Sequence, residues 1–488
     1  MSRIIRWYDY ITINIYWLGL TTVAQTLTPL VFPLLVQRFV GETAKGTFVG
    51  TLRLWTLMVA LLVQSLMGTL SDHSTLRWGR RRPFILAGTL ADLVFIAAIG
   101  FAAGLHGMSG YWFLFIIAIL LSVASNTAQS AQQGLIPDMV PQDQRGRFSA
   151  VKAVLELPVP MILVAFTVGK LIGSGKIEAG LLVTGGILTI SMLLTMLVRE
   201  TPLREPASQL IWTPFLRLLL MTALFTAIIL GMGEIVKAIS NLATNLSSTT
   251  SVIAVMGSVG LVAMLIAIGL GVWISVRAGI GDAARRNPSF TWWVVNRLAY
   301  LVPATNLATF AVFFLQGRFG LAREEAAGPA SKLIMFVGIF ILVSALPSGW
   351  LADRFGRKRL LILSGLVSAL GTLIALLAPN LTILFVGASL IGAATGFFFS
   401  ANWALGTDLA PQAEAGRYLG ISNLAGAGAG AVGAYIGGPI ADYFTITLPE
   451  VPGLGYVILF AIYGVLFLFS ILTLIKVSEP NGEPEPNT

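Results

Sequence analysis

Several ionisable and amide side chains lie inside stretches that are otherwise apolar, and these are the residues that could do chemistry. Asp92 sits in RPFILAGTLADLVFIAAIGF, and Lys152 and Glu156 are four apart in VKAVLELPVP. That spacing puts Lys152 and Glu156 on one face of a helix, where they can pair. An unpaired ion at the centre of a bilayer costs at least about 2.5–3.5 kcal/mol, so it persists there when paired or useful. A carboxylate in a dehydrated cavity can load and release a proton, which makes Asp92 and Glu156, with Lys152, candidate proton carriers. The plainer account is a buried structural pair. Arg53 and Arg297 also fall within apolar runs, and snorkelling to the membrane interface accounts for both.

A second group is neutral. SVASNTAQSAQQG, residues 122–134, is a polar stripe in an apolar helix. Asn126 and Gln129 share a face, as do Gln129 and Gln133. Hydrogen-bonding ends with few charges suit a hydroxyl-rich ligand, whereas a hydrophobic compound calls for aromatic and methionine lining. Asn306, Asn402 and Trp403 could complete such a site, the indole offering a face to a sugar ring. Polar residues that bind helix to helix are the competing explanation.

The elements that must position these residues are membrane helices. The chain has 488 residues, 56% hydrophobic and 11% charged, with mean hydropathy +0.84, far from a soluble globule. A hydrocarbon core of about 30 Å needs about 20 apolar residues per helix. Fourteen such runs occur, at about residues 11–37, 47–70, 83–104, 111–134, 148–172, 180–198, 213–233, 251–275, 291–316, 331–351, 358–378, 381–405, 417–440 and 453–476. Asp92 then lies about 13 Å into the third span, near the midplane. The basic N-terminus reads as the start of a retained first span, because no small-residue cleavage site precedes the next apolar run.

The net charge of +9 does not indicate nucleic-acid binding, because the basic residues occupy short gaps between spans, where they set topology. Arg77, Arg80, Arg81 and Arg82 share one gap, Arg145 and Arg147 another. Arg199 and Arg204 follow the sixth span, Arg277, Arg285 and Arg286 the eighth, and Arg354, Arg357, Lys358 and Arg359 the tenth. All follow even-numbered spans, which places both termini in the cytoplasm of a cell whose plasma (inner) membrane holds the chain. The gap with Arg318, Arg323 and Lys332, partly offset by Glu324 and Glu325, departs from this rule.

With no cysteine there is no disulfide or thiolate metal site, and with only His73 and His106 a histidine-based site is improbable. No H-E-x-x-H, Walker or G-x-S-x-G motif occurs, so neither enzymatic activity nor a cofactor is expected. Gly428, Gly430 and Gly433 spell G-x-G-x-x-G, but inside an apolar span with no preceding strand, where small residues let helices pack closely.

The chain repeats itself. QGLIPDMVPQDQRGRFSA overlays NWALGTDLAPQAEAGRYLG without a gap: Asp138 meets Asp408, Pro141 meets Pro411, Gln142 meets Gln412, Gly146 meets Gly416 and Arg147 meets Arg417. GTLSDHSTLRWGRRR likewise aligns with GWLADRFGRKR, Asp72 with Asp353 and Gly79 with Gly356. Two six-helix halves in parallel repeat, with a two-helix insert, are the symmetry expected of a secondary transporter. The units expected are residues 1–200, a 201–290 insert with its linkers, 291–478, and a disordered tail at 479–488. GEIVKAISNLATNLSSTTS, with Glu234 and Lys237, reads as a solvated connection.

The G-x-L-x-D loop between second and third spans of each half resembles the signature of the major facilitator superfamily. LVQSLMGTLSDHSTLRWGRRRPFILAG is similar to the sucrose transporters and the glycoside, pentoside and hexuronide cation symporters. This resemblance implies an all-α membrane protein of the facilitator fold, working by alternating access on a sugar or glycoside with a proton or sodium. It departs from the sucrose transporters at Ser122 and Gln133, where they carry an aspartate and an arginine linked to coupling and sugar binding, so Asp92 or Glu156 would have to substitute. A multidrug or metabolite exporter is the alternative, since two extra central helices also mark one drug-antiporter branch. A receptor or scaffold that no longer transports is a third reading, weakened by the intact loops. In these loops Asp72 with Arg80 and Asp353 with Arg357 are expected to form gate contacts, with Asp138–Arg147 and Asp408–Arg417 as matching latches. RETPLRE adds Glu200 and Arg204 as further candidates.

Overall fold

A computed structural model of the chain describes residues 6–200, 212–243, 248–281, 288–410 and 415–478, without the side chains of 415–417 and 419. Arg204, Arg285, Arg286, Pro411, Gln412, the side chain of Arg417, and the tail from 479 lie outside it. Among the described residues thirteen helices are long and apolar enough to cross a membrane, and a bent pair makes a fourteenth. They are α1 (Trp7–Val40), α2 (Lys45–Asp72), α3 (Arg82–Ala102), α4 (Gly107–Met139), α5 (Gln142–Gly173), α6 (Ile177–Thr195), α7 (Thr213–Ala243) and α8 (Thr249–Ile280). The bent pair α9 (Pro288–Thr309 with Ala311–Phe319) follows, then α10 (Ala327–Phe355), α11 (Arg357–Leu377) and α12 (Leu381–Leu409). Last come α13 (Ala415–Thr447) and α14 (Leu454–Lys476).

The two halves have the same neighbour pattern. In the first, α4 packs on α2 and α3, and α6 on α1 and α3; in the second, α12 packs on α10 and α11, and α14 on α9 and α11. The repeat in the sequence is therefore a repeat in space. The halves meet along two equivalent seams, α2 against α13 and α5 against α10, and α7 and α8 pack on each other and on α13.

Small residues set the first seam. A Cβ on Gly50 would lie 2.3 Å from the carbonyl oxygen of Ala434, and one on Gly438 2.2 Å from that of Gly46. The four-residue spacing on each helix brings backbone against backbone, as small-xxx-small pairs do in membranes. This is the use of the glycine-rich run AGAGAGAVGAYIGG. Three helices are irregular where they approach the molecular centre. α1 has a π-turn at Leu27–Val31, containing Pro29, α5 has one at Val164–Val168, and α9 bends by 61° between its two parts. Proline removes a backbone donor, and π-turns and kinks are the usual adjustments.

The segment with Glu234 and Lys237 is not a solvated connection up to residue 243. α7 continues through it to Ala243, Lys237 Nζ lies 2.6 Å from Glu234, and Tyr435 of α13 donates to Glu234 at 3.1 Å. The sequence there lacks proline and carries a charge pair at helical spacing, so the helix propagates and docks.

The seam generates a prediction. Gly50→Leu should destabilise by about 1–3 kcal/mol through overpacking, read as a lower thermal midpoint in detergent, whereas Gly269→Leu, on an open face of α8, should leave it unchanged.

Candidate functional site

A cavity of about 360 Å³ lies between the halves, lined by the irregular parts of α1 and α9 and, from α5, by Met161. The first half contributes Gln25, Thr28, Pro29, Arg53 and Met161; the second contributes Thr305, Leu307, Phe314, Ile334 and Phe460 among others. Its polar atoms are few, and most of its wall is aliphatic or aromatic. Broken helices at a repeat interface are where transporters place binding sites, because unwound backbone and inward-facing side chains become available to a ligand there.

One end of this cavity is sealed by polar contacts between the halves. Gln37 and Gln316 exchange amide hydrogen bonds of 2.8 and 3.0 Å. Gln37 also donates to Glu42 at 2.7 Å, whose other oxygen is 2.6 Å from Lys45 Nζ. Arg323 NH2 approaches Glu42 at 3.9 Å. Beside them, Asp442 of α13 accepts from the backbone N–H groups of Gly46 at 2.8 Å and Thr47 at 2.7 Å. These are free N–H groups of the first turn of α2, whose N-cap, Ala44, has no side-chain acceptor. A carboxylate from the second half thus caps a helix of the first, placed at the positive end of its dipole. Burial alone would raise the Glu42 carboxyl, but the hydrogen bond and charge of Lys45, with Gln37 and Arg323, hold it below its ordinary value. Its contribution to the seal therefore persists through mild acid and is lost only as pH falls through that depressed value. Arg323, a basic residue in the loop that broke the charge rule, is a member of this seal.

At the opposite end, which carries the chain termini, the signature loops form ion pairs different from those expected. Asp72 pairs with Arg81, not Arg80. Arg80 pairs with Asp138, and Arg81 reaches the same carboxylate at 2.8 Å. In the second half Arg357 pairs with Asp408 and donates to the Ala404 carbonyl at 3.1 Å. Asp353 and Arg147 are exposed and carry no ion pair among the described residues. The latches therefore run from the α2–α3 and α10–α11 loops to the ends of α4 and α12, within each half; Arg80–Asp138 and Arg357–Asp408 correspond, whereas the Asp72–Arg81 pair has no counterpart at Asp353 among the described residues. Glu200 fixes the first loop by accepting from the backbone N–H groups of Arg81 at 2.9 Å and Arg82 at 3.2 Å, at the start of α3. Two glycines make this possible. Gly79 has φ +105, and a Cβ on Gly134 would sit 2.4 Å from Arg81 Cζ. Gly356, aligned with Gly79, also has positive φ, at +88.

The coupling candidates are separated. Asp92 is fully buried and accepts from Ser125 at 2.7 Å, and its second oxygen has no partner. Near it Tyr16 of α1 and Thr89 share a 2.5 Å hydrogen bond. Lys152 Nζ is 3.5 Å from Glu156, both about one-third exposed, and lies 4.1 Å over the ring of Trp17. Of the residues expected to bind substrate, none lines this cavity. Asn126 and Gln129 are half-exposed and Gln133 exposed on α4. Asn306 is buried and donates to the carbonyls of Val302 at 2.8 Å and Ala429 at 3.1 Å, joining α9 to α13. Asn402 accepts from Arg297 at 2.7 Å, and the Trp403 ring lies 5.7 Å under the same guanidinium. Those two are committed to Arg297, because a buried guanidinium needs acceptors and a π-face. Snorkelling fails for both arginines: Arg297 is 8% exposed, and Arg53 faces the cavity.

The seal predicts that Asp442→Asn loosens this end of the cavity, because one charged acceptor of two backbone donors is lost. In a Thr28→Cys background, clean because the chain has no cysteine, a membrane-impermeant maleimide added on the α1–α2 loop side should label the introduced thiol several-fold faster. An unchanged rate would show that Asp442 does not hold the seal.

Comparison with known proteins accords with this geometry. A family model described as Major Facilitator Superfamily matches residues 298–488, and one described as MFS/sugar transport protein matches residues 17–209. The chain is 34% identical over 110 residues to the sucrose transport protein SUC3 of Arabidopsis thaliana, covering 19% of this chain and 18% of that protein. It is 32% identical over 140 residues to the minor myo-inositol transporter IolF of Bacillus subtilis, covering 29% and 30%. To the multidrug resistance protein MdtG of Enterobacter lignolyticus it is 33% identical over 163 residues, covering 33% and 36%. Each match thus spans well under half of the relative. The crystal structure of a D-xylose-proton symporter superposes with a TM-score of 0.63 at 16% identity, covering 98% of this chain and 100% of that one. With both halves matched separately by models of one superfamily, and its fold over nearly the whole length, the chain belongs to the major facilitator superfamily.

Proposed function

We propose that the protein is a secondary active transporter that works by alternating access and moves a sugar or glycoside together with a cation, most simply a proton. The observation that carries this reading is the cavity of about 360 Å³, lined from both halves and sealed at one end by breakable polar contacts. Contacts of this kind, each modest and dependent on orientation, suit a seal that must open and re-form. The sugar assignment draws on the matched stretches of the sucrose and inositol transporters and on the model that covers the first half.

In this reading the arginine-bearing loops and both termini face the cytoplasm, the lipid bilayer being the plasma (inner) membrane, and the seal closes the outer side. Asp92 is the coupling residue. It is buried near the middle of α3 with one oxygen unpartnered, so protonation would relieve an uncompensated charge, which couples proton binding to rearrangement around α1, α3 and α4. Lys152 and Glu156 neutralise each other and serve as positioning residues. A second reading has a specific observation behind it. Met161, Phe314 and Phe460 in the cavity wall, with the matched stretch of a multidrug resistance protein, suit an exporter of amphipathic compounds.

Proteoliposomes separate the two. Labelled mono- and disaccharides, with phenyl glucoside, should exchange by counterflow and accumulate when the interior is made alkaline. Asp92→Asn should abolish accumulation, a loss of ten-fold or more, while counterflow continues. Absence of sugar exchange together with acid-driven efflux of lipophilic cations would replace the first reading by the second. Gradient-driven uptake unchanged in Asp92→Asn would remove Asp92 from coupling.

A further inference from the structure

Arg53 stands where the structure gives it no counter-charge. It lies in α2 at the seam between the halves and lines the cavity. Its Nε is buried without a hydrogen-bond partner, and no carboxylate or carbonyl accepts from the guanidinium among the described residues. The acids in the bundle are engaged elsewhere, Asp92 with Ser125 and Asp442 with the first turn of α2. Gly430 of α13 stands beside the guanidinium, where a Cβ would lie in ordinary contact, 3.6 Å from Arg53 NH2. Arg297, whose Nε is likewise unpartnered, has an acceptor in Asn402 and tryptophan faces beside it; Arg53 has neither.

A guanidinium cannot shed its charge at any working pH, and it presents a planar fork of donors matched to a carboxylate. Such a group, half-buried and unpaired inside a membrane protein, is answered by a pairing partner or by a ligand. We propose that the ligand answers it: the transported molecule carries a carboxylate, which Arg53 binds at the contact between the halves. The rest of the cavity defines the remainder of the cargo. Its volume is near the lower end of the roughly 300–1,000 Å³ of small-molecule sites, enough for a ring and a short substituent. Gln25, Thr28 and Thr305 offer hydrogen bonds to hydroxyl groups, and Phe314, Ile334 and Phe460 face an apolar surface. The cargo is therefore a compact sugar-like acid with one apolar face. The hydroxyl-bearing part of this assignment rests on the sugar reading above; the carboxylate part rests on Arg53 alone. Loading would also cancel the cation at the seam, so that the occupied protein changes conformation without an exposed charge there.

The test uses a matched pair, phenyl β-glucoside and phenyl β-glucuronide, which differ by a carboxylate, with 3-phenylpropionate as an acid lacking a sugar. Binding to the purified protein in nanodiscs is read by tryptophan fluorescence and calorimetry in wild type, Arg53→Gln and Arg53→Lys. The glucuronide should bind wild type at least ten-fold tighter than the glucoside. Arg53→Gln should erase that preference, an unchanged thermal midpoint showing that the variant is folded, and Arg53→Lys should retain part of it. Equal affinities in wild type, or a preference that survives in Arg53→Gln, would overturn the proposal. Binding of 3-phenylpropionate alone, dependent on Arg53, would overturn the sugar reading and uphold the anion site. Binding of none of the three would overturn the proposal.

Discussion

Two helices can press backbone against backbone only where neither carries a side chain, and the α2–α13 seam is built on that constraint. Gly46 and Gly50 face Gly438 and Ala434 so closely that a methyl group at Gly50 or Gly438 would collide with a carbonyl oxygen. Such contact is favourable through dispersion, but it has little side-chain interdigitation to resist sliding. Register must then come from elsewhere. Asp442 supplies it, because a carboxylate capping Gly46 and Thr47 can occupy only one position along α2. The amide pair of Gln37 and Gln316 adds a second fixed point.

The same seam explains where the charges lie. An ion in the interior of a membrane protein is tolerated when something answers it, and the chain answers most of its own. Glu42 and Lys45 pair in the seal, Lys152 and Glu156 pair on α5, and arginines of the signature loops meet the carboxylates that end α4 and α12. Asp92 and Arg53 have no ion pair among the described residues; Asp92 has an orphan oxygen, and Arg53 an orphan Nε, as Arg82, Arg297 and Arg323 also have. In the proposals made above, these two are the places where a mobile partner acts: a proton at one and an anion at the other. Sealing contacts that are individually weak then let the binding of either partner shift the balance between conformations.

Much of the fold was legible because its signals are local. Apolar run length fixed the helices to within a few residues for most spans, and the glycine shared by both signature loops, Gly79 and Gly356, proved to need positive φ in both. The gate was legible only in part. Asp72, Arg80, Asp138, Arg357 and Asp408 are all engaged at the termini end, yet the pairing crosses between loops, and alignment of one repeat with the other carries no information about which loops touch. The opposite seal was not legible, for two reasons. Its members are hundreds of residues apart and form no motif. Asp442 also falls outside a thirteenth span that ends at 440, although IADYF continues the apolar pattern and α13 runs to Thr447. Asn306 and Asn402 have the chemistry of a sugar site, but burial turned them to helix packing and to Arg297, which composition cannot distinguish from ligand binding.

The central claim is that the halves rock about the cavity, exchanging a seal at one end for a seal at the other. Pulsed electron spin resonance distances between introduced labels test it directly, with one pair at Lys176 and Ala322 on the sealed end and another at Asp143 and Arg359 on the termini end. Agents that shift the resting state, such as phenyl glycosides or acid pH, should lengthen the first distance as they shorten the second. Distances that stay fixed at both ends, or that change together in the same direction, would contradict alternating access in this protein.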